Sequence, residues 1–356
     1  MNSMTIHERP GVYSSYDASA VISGGSARKT VGVAARAAKG TAGQVVALTS
    51  YDAGVAAFGE DTEGCAMETL LRLLYRNGAS SVLAVAVAST ATKTDYTAAF
   101  DALAKEEGVG VVICDSDDLT VQQALRDNVA AASSARRERI AVVGAEDESV
   151  DELIDRAEAL NSERVVLAAG EGLDETGAAL GGVATAAALA GVIAAQTDPA
   201  VPLNGAQLAG LTGLEQNWSD SEIDLLVRGG VTPLESRGGA VSAVRGITTR
   251  TTTGGAADST WRELTTILIV DDVIPQLRDA LRSKFARTKN TAQTRSAIRS
   301  QVIVELENKR SAEIIDDFSD VTVQASAEDA SVCEVTFSFA VAHGLNQIYL
   351  TAHITV

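Results

Sequence analysis

The residues best placed to do chemistry are Asp115 and Asp117, which close the apolar run Val111-Val112-Ile113-Cys114 with one serine between them. At the carboxyl end of a buried strand, such a pair suits phosphoryl transfer: one carboxylate attacks and the other manages the proton. The next residues, Asp118-Leu119-Thr120, break the small-residue turn that this chemistry uses, and Asp and Ser clusters in this position cap the following helix. The cap is the stronger reading. Gly32 to Gly43 (GVAARAAKGTAG) hints at a phosphate loop, but its order is Lys-Gly-Thr rather than Gly-Lys-Thr or Gly-Lys-Ser, so we expect a turn. Gly170-Glu171-Gly172 never completes a dinucleotide fingerprint. Cys65, Cys114 and Cys333 lie far apart with no CxxC spacing, and Cys114 and Cys333 read as small core residues. His7, His343 and His353 show no metal-ligand spacing. These residues lead us to expect no catalytic site, cofactor or metal; an α/β phosphohydrolase using Asp115 and Asp117 is the alternative.

The middle of the chain supplies the frame for these residues. Ser81 to Ala88, Val109 to Cys114, Ile140 to Gly144 and Val165 to Ala169 are short, Val-rich runs that predict strands buried on both faces. Met67, Leu70, Leu71, Leu74 and Tyr75 step as a helix, as do Leu119, Leu125, Val129 and Ala132, and then Leu153, Ile154, Ala157 and Leu160. Strands alternating with helices predict an α/β domain over about residues 27–235, a mixed, largely parallel sheet with flanking helices.

A Gly- and Thr-rich zone from Gly238 to Gly255 reads as a loop or linker. Beyond it, Ile274, Leu277, Leu281 and Phe285 mark one helix with Pro275 near its start, and Ile298, Val302 and Leu306 mark a second. Two-residue alternation follows. Cys333, Val335, Phe337, Phe339 and Val341 form one apolar face; Ile348, Leu350, Ala352, Ile354 and Val356 form another. A C-terminal α+β domain, 236–356, with two helices and antiparallel strands is therefore expected. The last strand either tucks into its own sheet or adds to the sheet of another copy.

With 356 residues, 46% of them apolar and 21% charged, the chain can build a packed core over more than one domain. Its formal charge of -18 argues against coating nucleic acid or an anionic membrane. The apolar runs are too short to span a bilayer, and the first sixteen residues lack the apolar stretch of a signal peptide, so a soluble cytosolic product is expected. One segment opposes the overall charge. Arg278, Arg282, Lys284, Arg287, Lys289, Arg295 and Arg299 face only Asp279, a net +6. That segment is either a solvated helix face or a docking surface for an acidic partner or neighbouring subunit; nucleic acid is a weaker third reading, because no aromatics interleave with the arginines.

Several fragments, in order, resemble one family, the contractile tail sheath proteins of bacteriophages and phage-tail-like particles such as R-type bacteriocins and contractile injection systems. Glu8-Arg9-Pro10-Gly11-Val12-Tyr13 looks like its opening arm. Thr30 to Ala34, Lys39-Gly40, Ser50-Tyr51-Asp52 and Phe58-Gly59 are similar to its next block. Leu74-Tyr75-Arg76-Asn77-Gly78-Ala79 before the run Val82 to Val87 resembles its Asn-Gly-strand segment. Gly229 to Leu234, Gly246 to Thr251 and Trp261 look like the entry to its C-terminal domain.

The resemblance implies a structural protein, not an enzyme. It implies a helical homopolymer of six-fold rings around an inner tail tube protein, held by baseplate and tail terminator proteins, with no nucleic acid and no membrane insertion. Synthesis in the host bacterial cytoplasm and assembly into a tail or tail-like particle are implied too. Residues 1–26 would form an arm, with Pro10, Gly11, Val12 and Tyr13 exchanging between subunits. The terminal strand 345–356, with Ile348, Leu350, Ala352, Ile354 and Val356, would exchange likewise. Residues 27–235 would lie outside and the basic segment would face the tube. Contraction would release a kinetically trapped, extended state.

Overall fold

The computed structural model describes residues 29–346. Strands β1 (Thr30–Arg36), β2 (Val45–Leu48), β3 (Val82–Val87), β4 (Val109–Cys114), β5 (Ile140–Gly144) and β6 (Val165–Ala169) come first. Helices α1 (Tyr51–Phe58), α2 (Met67–Arg76), α3 (Lys93–Ala104), α4 (Leu119–Ser134) and α5 (Val150–Leu160) fall between them. A small three-stranded sheet of β7 (Gly172–Leu173), β8 (Ala179–Leu180) and β9 (Gly213–Leu214) brackets α6 (Gly181–Ala195). Then come α7 (Asp220–Arg228), β10 (Thr232–Arg237), β11 (Ala240–Ala243) and the short hairpin β12 (Thr252–Thr253) and β13 (Ala256–Ala257). The chain closes with α8 (Leu264–Phe285), α9 (Ala292–Ser311), β14 (Ile315–Ala325) and β15 (Cys333–Val341).

The main sheet runs β11-β10-β6-β5-β4-β1-β3-β2. Its inner six strands pair in parallel; β2 and β11 close the two edges antiparallel. Every residue of β4, β5 and β6 is buried, as their unbroken Val-rich runs require in a sheet covered on both faces. Helices α3, α4, α5 and α7 cover one face; α1, α2, α6 and the first half of α8 cover the other. The buried helix α6 approaches the sheet so closely that side chains are excluded. A Cβ at Gly182 would lie 1.9 Å from the Ala145 carbonyl oxygen, and one at Gly144 would lie 2.1 Å from that of Gly182.

The Gly- and Thr-rich zone is not a linker. Gly238 and Gly239, with φ of 62° and 82°, make the two-residue turn between β10 and β11, a turn that needs positive φ twice. Thr248 and Thr249 are fully buried. The Thr249 hydroxyl donates to the Ser162 carbonyl at 3.1 Å and the Thr248 hydroxyl to that of Trp261 at 2.7 Å. Buried irregular backbone must be satisfied, and threonine does so compactly.

Pro275 also departs from expectation. The helix begins at Leu264, so the proline sits mid-helix, where it removes the bond to the Asp271 carbonyl. Residues Leu264, Ile267, Leu268, Ile269 and Val270 belong to the main core, whereas Val273 and Leu277 belong to a second core with α9, β14 and β15. One helix thus runs through both units. The expected strand over Cys333–Val341 is β15; its partner is β14. The terminal strand 348–356 and the arm Pro10 to Tyr13 lie outside the described residues, as do His7 and His353.

Candidate assembly surfaces

Asp115 sits at the carboxyl end of β4, 2% exposed, and its carboxylate is fully engaged. Arg36 donates to Oδ2 from its Nε at 2.8 Å and from its backbone nitrogen at 3.0 Å, and the Tyr96 hydroxyl donates to Oδ1 at 2.6 Å. Burial and the neighbouring Asp115 push the Tyr96 phenol well above its usual range. This cluster ties the ends of β1 and β4 to α3. Asp117 is exposed, and its carbonyl accepts from Arg156 at 2.6 Å. Asp118 accepts from the Thr120 nitrogen at 2.7 Å and caps α4, so this third acid is the cap. Burial lifts the Cys114 thiol to about 12, which leaves it inert. Cys333, expected in the core, is only half-buried, because β15 is covered on one side alone. The Gly32 to Gly43 segment leads from β1 into β2 rather than into a helix, and Gly170 to Gly172 leads into β7. Neither presents a helix N-terminus to a phosphate. Among the described residues no group of His, Cys, Asp and Glu could hold a metal ion.

The basic segment divides. Arg278 is 9% exposed and points into the joint between the units, where its Nη2 meets Glu138 Oε1 at 2.5 Å. Arg295 donates to Asn290 Oδ1 at 2.9 Å and Arg299 to the Val321 carbonyl at 2.8 Å, which closes the second core. Arg282, Lys284, Arg287 and Lys289 are exposed around the end of α8, with Lys284 reaching Gln301 at 2.6 Å. The joint holds two further pairs. Arg164 grips Asp271 through both terminal guanidinium nitrogens, Nη1 and Nη2, at 2.8 and 3.0 Å, and Lys309 meets Asp272 at 2.6 Å.

Two family models match consecutive parts of this chain. The model described as phage tail sheath protein central domain matches residues 89–249, and the phage tail sheath C-terminal domain matches 256–355. The chain belongs to the phage tail sheath family. It is 30% identical over 251 residues to the tail sheath protein of Bacillus phage SP01, covering 68% of this chain and 42% of that one. The chain thus spans less than half the length of that relative. Its fold resembles the anti-feeding prophage helical sheath in the contracted state, with a TM-score of 0.72 at 15% identity, over 98% of this chain and 99% of that one. The sheath tail protein of Desulfitobacterium hafniense gives 0.71 at 12% identity, over 96% and 100%. The sheath of an extracellular contractile injection system, also contracted, gives 0.69 at 13%, over 99% of each.

Within this sheath-family chain, the Asn-Gly segment has a structural role that sequence patterns did not give. Buried Asn77 donates to the carbonyls of Leu73 and Ala209 and accepts from the Ala209 nitrogen, clamping the loop before β9 against α2. The joint ion pairs were equally hidden: Arg164 and Asp271 are more than a hundred residues apart.

Proposed function

We propose that the chain is a structural, force-generating subunit of a contractile tail sheath. It polymerises helically around an inner tube, and contraction drives that tube through a target cell envelope. The observation that carries this reading is the ordered match to both sheath domains within a single chain. Full-length similarity in fold to sheaths captured after contraction supports it. The subunit acts without catalysis. Asp115, the residue a phosphohydrolase would need, is consumed by Arg36 and Tyr96.

In this reading the outer unit is the α/β domain and the inner unit is built from the second half of α8, α9, β14 and β15. Neighbouring copies exchange the arm Pro10 to Tyr13 and the strand Ile348 to Val356, because main-chain hydrogen bonds tolerate large changes in the angle between distant domains. Rings are six-fold. The exposed cations Arg282, Lys284, Arg287, Lys289 and Arg299, with half-buried Arg295, face the inner tube, and buried Arg278, paired with Glu138, supports that face from behind. Baseplate and terminator proteins hold the extended polymer at its ends, and the whole is assembled in a tail or tail-like particle after synthesis in the bacterial host.

Electron microscopy of the purified protein, with and without inner tube, tests the proposal. Hollow striated tubes are expected. Discrete particles at all protein and salt concentrations would overturn it. Removal of residues 345–356 should abolish polymerisation while leaving a cooperatively folded protein.

A further inference from the structure

Among the described residues, three cations share two carboxylates at the joint. Arg164 is matched to Asp271 and Lys309 to Asp272. The third cation is Lys29, half-buried, whose ammonium lies in the field of both Asp271 and Asp272. Burial draws its pKa below the usual lysine range; Asp271 and Asp272 oppose that shift and Arg164 adds to it. Each carboxylate already has a cation of its own, so Lys29 is held beside this cluster at a cost in desolvation and repulsion.

The fold nevertheless makes room for it. The Lys29 backbone nitrogen donates to the Ala194 carbonyl at the end of α6, at 3.0 Å. Its side-chain stem crosses buried Gly110 on β4. A Cβ at Gly110 would lie 2.7 Å from Lys29 Cδ and 2.9 Å from its Cβ and Cγ. Gly110 is not among the glycines with positive φ, so its backbone conformation does not call for glycine; the passing lysine stem does. Directly after Lys29 the chain becomes β1, an inner strand between β4 and β3. Residues 1–28, which include the expected arm, therefore join the fold beside the joint, and a pull on them meets Lys29 before it meets the sheet.

We infer that Lys29 is a positioning residue that couples the arm to the joint: a pull by another copy on residues 1–28 moves the lysine against Asp271 and Asp272 and so changes how α8 sits between the two units. This rests on the sheath reading. Coupling of this kind is reciprocal, so a rotation of α8 equally changes how the root of the arm is held.

Two variants of the full-length protein separate charge from stem. Lys29→Met keeps the stem and removes the charge; Gly110→Ala keeps the charge and displaces the stem. Amide hydrogen exchange along Asp271 to Gln276 is compared between unassembled protein and tubes. In the parent, exchange there should change on assembly, and in both variants that change should be lost although tubes form. The denaturant midpoint of unassembled Lys29→Met should equal that of the parent or exceed it, because the unmatched charge is gone. A midpoint below that of the parent would make Lys29 an ordinary fastener and overturn the inference. So would exchange that responds to assembly equally in parent and variants, or in none of them. Loss of tubes in both variants with unassembled protein intact would overturn it as well, since Lys29 would then serve the docking of the arm and not the joint. Failure of the parent to form tubes would overturn the sheath reading along with it.

Discussion

Asp271 and Asp272 are neighbours on α8, yet their carboxylates are held from opposite halves of the molecule. Asp271 is gripped by Arg164, the residue that leads into β6; Asp272 is held by Lys309 near the end of α9. Both carboxylates are at most 4% exposed. Because the helix itself contributes to both cores, these pairs fix its rotation relative to each unit. In the proposed sheath role, such a joint would resist twisting between the two units.

Breaking the joint should therefore cost stability. Asp271→Asn leaves the Arg164 guanidinium buried without its counter-charge, and loss of about 3–5 kcal/mol is expected. Denaturant unfolding of the monomer measures it. The double variant Arg164→Met with Asp271→Leu should recover most of that loss, since removing both charges also removes their desolvation cost. A double variant as unstable as the single one would mean that geometry other than the pair holds the joint.

Asp115→Asn distinguishes a fastener from a nucleophile. An amide cannot accept from Arg36 and Tyr96 as the carboxylate does, so stability should fall by about 2–3 kcal/mol. Tubes should still form at reduced temperature. Neither parent nor variant should hydrolyse an aryl phosphate. Hydrolysis by the parent that disappears in the variant would restore the enzymatic alternative.

The parallel sheet was legible because β4, β5 and β6 must be continuously apolar to be buried on both faces, and the helices around them are amphipathic. The start of α8 was not legible. Ile267, Leu268, Ile269 and Val270 are buried all round, so no helical period marks them, and Pro275 looked like a beginning. Strand β14 was hidden because two bulges and the acids Asp316, Asp317 and Asp320 destroy the alternation that reveals β15. The segment Gly238 to Gly255 misled for a related reason: composition signals a loop, whereas Thr248 and Thr249 satisfy a buried one. The basic segment was legible as a pattern of charge, but Arg278 shows the limit. Its charge is indistinguishable in sequence from that of Arg282, and only Glu138, 140 residues away, separates buried from exposed.

The close approach of α6 gives a prediction of a different kind. Gly182→Ala would place a methyl within 1.9 Å of a backbone oxygen, a contact that only a shift of helix against sheet can relieve. Loss of roughly 3 kcal/mol or more is expected, from overpacking against backbone. Gly43→Ala is the control, because nothing lies within 4 Å of its Cβ; it should carry only the strain of a φ of 77°, about 1 kcal/mol. Thermal unfolding of the two variants should separate them clearly. Similar melting would mean that α6 has room to move.

The exposed cations should behave oppositely to the joint. Charge reversal at Arg282, Lys284, Arg287 and Lys289 should leave monomer unfolding nearly unchanged, since isolated surface pairs contribute about 0–1 kcal/mol each. Docking of the polymer onto its inner tube should weaken severely, because small losses at every subunit add along a connected lattice. Co-sedimentation of sheath with tube across a salt series reads this directly. The parent should lose tube binding as salt rises, and the reversed variant should bind poorly at every salt concentration. Arg278→Glu should instead lower unfolding stability, because it faces Glu138 inside the joint. Unchanged tube binding by the reversed variant would move the tube-facing surface elsewhere on the subunit, and an unaffected Arg278→Glu would separate that residue from the joint.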